Sequence, residues 1–64
     1  MPNANIHIVF EKNMWAVRRE GSKYAMSTHT TQQQAIDVGL ASARSEKSKL
    51  VVFNRQGKIQ DEHE

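Results

Sequence analysis

Two groups of cationic residues flank two glycine turns. Arg18, Arg19 and Lys23 lie around Gly21, and Arg55 and Lys58 lie around Gly57. Arginine and lysine near turns, backed by a rigid sheet, are suited to phosphate contact, and Tyr24 beside them offers a ring for stacking. These six residues form the candidate nucleic-acid surface. The same cations also serve simply to solubilise turns and blunt strand edges, and an acidic protein surface is the other partner they would fit. Ser27 and His29 lie two apart on one strand, ~6.5–7 Å between Cα atoms, on the same side. Nothing in the sequence places an acid to orient that imidazole, so no catalytic residue is assigned and the chain is expected not to be an enzyme. His7, His29 and His63 lack the close spacing of metal ligands, and cysteine is absent, so no metal site is expected. Every glycine is isolated, which leaves no phosphate-cradling loop. No cofactor and no small-molecule substrate are expected.

These residues must be positioned by a very small fold. Sixty-four residues hold about 24 hydrophobic side chains, enough for one marginal core and no disulfide to help it. The sequence divides into a polar lead-in (1–5), one domain (6–60) and an acidic tail (61–64). The net charge is +2, but the tail holds three of the seven acids. Over residues 1–60, nine cations against four acids leave +5. No apolar run exceeds four residues, so no membrane span is expected. The start Met1-Pro2-Asn3-Ala4-Asn5 lacks the features of a signal peptide, and the cytoplasm is the expected compartment.

Ile6-His7-Ile8-Val9-Phe10 alternates as a strand, and Glu11-Lys12-Asn13 is a short break. Residues 14–19 form a second strand, Glu20-Gly21-Ser22 a turn, and residues 23–29 a third strand. The register of that second hairpin has two solutions. A two-residue turn sets Val17 against Met26 and Arg19 against Tyr24. A three-residue turn sets Arg18 against Tyr24 and Ala16 against Met26, and places Ala25 and Ser27 with Trp15 and Val17 under a helix. The second is favoured, because it puts small residues beneath the helix and leaves Met14, Arg18, Tyr24 and Met26 outside.

Thr31, with Gln34 three residues on, has the spacing of a capping box. The stripe Ala35, Ile36, Gly39, Leu40, Ala43 predicts a helix running to about Lys47, with Gly39 allowing a close approach to the sheet. Leu50–Phe53 reads as an apolar strand, and residues 58–60 as a short return after Gly57. The expected fold is α+β: a small antiparallel sheet, β-β-β-α-β with a fifth short strand in reserve, and one helix on one face. One helix cannot cover both faces, so the other is wet or used for contact. Met14 and Met26 are candidate interface residues there, and a homodimer is expected because association hides apolar area a lone small core cannot. Trp15 is expected in the core near Ile36 and Leu40.

Trp15-x-Val17, Glu20-Gly21, Ala25-x-Ser27, Thr31-x-x-x-Ala35-Ile36, Ala43-Arg44, Leu50-Val51-Val52 and Arg55-x-Gly57-x-Ile59 occur in an order and spacing that resemble a known family. It is the small bacterial "domain of unknown function 2188", and the resemblance covers about residues 6–60. The sequence departs where that family usually has His-Gly-Arg-Asp-Gly and this chain has Phe53-Asn54-Arg55-Gln56-Gly57, and where it often has Arg in place of Tyr24. The resemblance implies the fold and a bacterial or phage origin, with no established activity. A three-stranded sheet with one helix is also similar in outline to the sheet-reading DNA-binding domains of phage integrases, an analogy of fold alone.

Overall fold

Residue alternation builds the first hairpin. In the computed structural model, which describes residues 4–63, Ile6–Glu11 (β1) and Met14–Arg19 (β2) pair antiparallel. Lys12 and Asn13 turn between them with φ of 51° and 62°, the left-handed pair that suits the twist of a two-residue hairpin. The expected alternation holds across it: Ile6 and Ile8 face Arg19 and Val17, and Phe10 faces Trp15. Asn5 ties the hairpin's base, accepting from Glu20 N through its carbonyl and from Lys49 N through its side chain. Residues 1–3 of the expected lead-in (1–5) and the last residue of the expected tail, Glu64, lie outside the described residues.

The pairing of β2 with Ala25–His29 (β3) follows neither expected register. Val17 lies opposite Ser27 and Trp15 opposite His29, then the register shifts so that Arg18 meets Ala25, with Met26 between. Local hydrogen bonds explain the longer connection. Ser22 N donates to Arg19 O, Gly21 takes φ of 84°, and the Ser22 hydroxyl engages both N and O of Tyr24. Residues 20–24 are thereby drawn out of the strands. Ser27 still joins Val17 on the helix side as favoured, but Ala25 lines the opposite face beside Arg18.

Gln32–Glu46 forms the helix (α1). Thr31 caps it by accepting from Gln34 N at 3.2 Å, while the Gln34 side chain accepts from the Thr30 hydroxyl instead of returning to Thr31. Half of the capping box is formed. Lys47 ends the helix in the left-handed region, and Ser48 N reaches back to Ala43 O. Ala35, Gly39 and Ala43 are buried along the expected stripe. A Cβ at Gly39 would come within 2.7 Å of Ile8 Cδ1 and 2.8 Å of Leu50 Cδ1, so the missing side chain is what allows this close approach.

The helix carries the chain back to the end where β1 begins, so Leu50–Phe53 (β4) runs parallel to β1, with Ile6 opposite Leu50 and Ile8 opposite Val52. The sheet is therefore mixed, in the order β3-β2-β1-β4-β5. Ile59–His63 (β5) is longer than the short return expected. Asp61, Glu62 and His63 pair with Val52, Val51 and Leu50, so the acidic end belongs to the sheet's edge instead of hanging from it as a tail. Trp15, Ile6, Ile8, Val17, Leu50 and Val52 form the core with Ala35 and Ala43, and Phe10, Ile36 and Leu40 pack at its margin. Among the described residues no helix is long and apolar enough to cross a membrane.

Candidate functional site

Neighbours on a strand point to opposite faces, and this separates the two adjacent arginines. Arg18 lies on the uncovered face, where Nε donates to Glu11 Oε1 at 2.6 Å and Nη2 to Glu11 Oε2 at 2.7 Å. Its Nη1 donates to the Lys23 carbonyl at 3.1 Å. Arg19 turns to the helix side and grips Glu46, Nε to Oε1 at 3.1 Å and Nη2 to Oε2. Both contacts are bidentate, the strong form of an arginine–carboxylate pair. The arginine hydrogen bond holds each carboxyl below its ordinary pKa, slight burial opposing and the guanidinium charge reinforcing it. Both arginines are raised by the same bonds.

The six sequence-predicted cation-and-tyrosine residues do not form one patch. The β2–β3 turn, with Arg18, Arg19, Lys23 and Tyr24, lies at the end of the sheet where β1 starts. The β4–β5 turn, with Arg55 and Lys58, lies where β1 finishes, at the same end as Lys12. There Arg55 stacks over the Phe10 ring, its guanidinium carbon 4.8 Å from the ring centroid. Asn54 Oδ1 organises the turn by accepting from Gln56 N and Lys58 N.

What the fold does gather is a groove of about 430 Å3 on the uncovered face of β2 and β3. Lys12, Arg18 and Lys23 are set around Met14, Tyr24 and Ala25, and Glu11 and Thr28 complete the lining. Tyr24 is 79% exposed. Three cations stand against one carboxylate. Arg18 is matched by Glu11, Lys12 adds to the positive field on Glu11, and Lys23 forms no ion pair among the described residues. Met14 lines the groove; Met26 is partly exposed but does not.

Sequence reasoning missed Lys12 and Glu11. The signal was present: alternation puts Glu11 on the same face as His7 and Val9, and Arg18 on that face of the next strand. On the helix side, Ser27 Oγ and His29 Nε2 lie 2.9 Å apart, as their spacing allows. No carboxylate among the described residues holds His29. His7 instead meets Glu20 at 3.3 Å and the Phe53 ring edge-to-face on the uncovered side.

Against known proteins, the family model described as "Uncharacterized protein conserved in bacteria (DUF2188)" matches residues 6–64. No curated protein and no solved structure matches the chain.

Proposed function

The chain belongs to this uncharacterised bacterial family, and for it we propose a non-enzymatic module that contacts nucleic acid through the uncovered face of β2 and β3. The observation that carries the reading is the groove, where three cations and an exposed tyrosine share one concave surface with a single carboxylate. Lys12 and Lys23 supply mobile phosphate contacts, and Tyr24 supplies a stacking ring. Arg18, held by Glu11 and the Lys23 carbonyl, acts as a fixed wall. Arg19 takes no part, because it faces the helix. Arg55 and Lys58 lie outside the groove, on the β4–β5 turn, where Arg55 stacks over Phe10. The Ser27–His29 contact lacks the oriented base that nucleophilic catalysis needs, which supports a binding role over an enzymatic one.

Anisotropy titrations of labelled DNA and RNA against the full chain test this. Affinity should fall with salt at a log–log slope of about −1.4 to −3.6, the range for two to four phosphate contacts on a single strand or a duplex. Lys12→Ala with Lys23→Ala should flatten that slope. No binding at ~50 mM salt ends the reading.

A homodimer through β3 is a second reading, favoured by the difference between the two sheet edges. β3 (Ala25-Met26-Ser27-Thr28-His29) carries no acidic or lysine side chain, whereas β5 presents Asp61 and Glu62. Two copies of β5 would set acids against acids, while two copies of β3 meet no such repulsion. Light scattering that returns the monomer mass of 7.3 kDa at micromolar concentration removes this reading.

A further inference from the structure

We infer that the groove takes a single strand, with one base lying on Tyr24, and not a duplex; this rests on the nucleic-acid reading above. A duplex presents phosphates and sugars outward and keeps the faces of its bases stacked inside. Its outside offers little to Met14, Tyr24 and Ala25, which give the groove its apolar surface. A single strand exposes the π-faces of its bases, and a ring as open as that of Tyr24 is a platform for one of them.

Charge density points the same way. Duplex DNA carries one charge per ~1.7 Å of axis, but one strand carries one per ~3.4 Å. The groove holds Lys12 at one end and Lys23 toward the other, with Arg18 already matched by Glu11. That sparse pair suits the lower density. Between them, Met14 and Arg18 stand four residues apart on β2, ~13 Å at strand rise. This length corresponds to about four stacked nucleotides. Reading a duplex by its major groove needs an inserted helix or two-stranded ribbon. Here α1 packs on the other face, with Ala35, Gly39 and Ala43 buried against the sheet, and so cannot reach a ligand in the groove.

The test compares a labelled oligothymidine of about 12 nucleotides, within the ~4–16 nucleotide range of single-strand sites, with a mixed-sequence duplex of the same length. The full chain should bind the single strand at least ~10-fold more tightly at equal salt. Tyr24→Ala should weaken single-strand binding by about 5- to 150-fold and leave its salt slope unchanged, while Tyr24→Phe retains affinity. Circular dichroism of both variants checks that the fold persists, which the exposed position of Tyr24 favours. A duplex bound as tightly as the single strand overturns this inference and leaves the nucleic-acid reading standing. So does unchanged single-strand affinity in Tyr24→Ala. Binding of neither probe, with poly-glutamate bound instead, overturns both in favour of an acidic protein partner.

Discussion

Gly39→Ala measures how closely α1 lies on the sheet. The added Cβ would sit 2.7 Å from Ile8 Cδ1 and 2.8 Å from Leu50 Cδ1, against the ~3.5–4.0 Å that non-bonded carbons prefer. Both neighbours are fully buried, so each can make room only by turning inside a filled core. Displacing a side chain from its rotamer costs ~0.5–1.5 kcal/mol, hence ~1–3 kcal/mol for the two. Replacing glycine by alanine inside a helix returns up to ~1 kcal/mol. The net expectation is a loss of ~0–2 kcal/mol, centred near 1, and a fall in Tm of roughly 4–8 °C at that centre. Urea unfolding followed by Trp15 fluorescence reads it directly, since Trp15 is 6% exposed and belongs to the same core. Ile8→Val removes the nearer methyl, so the double variant should be more stable than the two single losses predict, by ~0.5 kcal/mol or more. A Gly39→Ala variant stabilised by ~1 kcal/mol, the value for an open helix face, would refute the close approach.

Two further outcomes follow from the ion pairs. Glu11 and Glu46 titrate below their ordinary range in the folded chain, so the stability they contribute is complete above the unfolded value of ~4.3. It is lost as pH falls through their lowered folded values. Glu11→Gln and Glu46→Gln should therefore each flatten the acid limb of a stability–pH curve, and an unchanged limb would contradict the pairing. Glu11→Gln should also free Arg18 for phosphate, steepening the salt slope of single-strand binding by about 0.7; a slope unchanged in titration would mean that Arg18 does not reach the ligand.

The elements were legible because each rests on a local pattern. Alternation marked β1 and β2, the change of period marked α1, and Gly39 on the apolar stripe signalled a close helix–sheet contact. What failed locally depended on hydrogen bonds that composition does not show. Ser22 draws residues 20–24 into the turn by bonding Tyr24 at both N and O, which shifts the β2–β3 register beyond either simple hairpin. β5 was read short because Asp61 and Glu62 look like solvent-exposed tail. They are exposed, but on a sheet edge, where acids also discourage pairing with other chains. The parallel pairing of β1 with β4 depends on where the helix returns the chain, a property of the whole fold.

The site was half legible for the same reason. Counting cations along the sequence put Arg18 and Arg19 together, although period two already sends adjacent residues to opposite faces. Their partners lie far along the chain: Glu11 is seven residues from Arg18, and Glu46 is twenty-seven from Arg19. A cation held by two bonds from one carboxylate contributes little field at a distance, so the +5 of residues 1–60 overstates what a ligand meets on any one face. The acidic end bears on this too. Asp61 and Glu62 are part of β5, so deleting them to expose the basic surface would remove an edge strand along with two charges. Asp61→Asn with Glu62→Gln changes the charge and keeps the strand, and so separates an electrostatic effect of the acidic edge from a loss of fold.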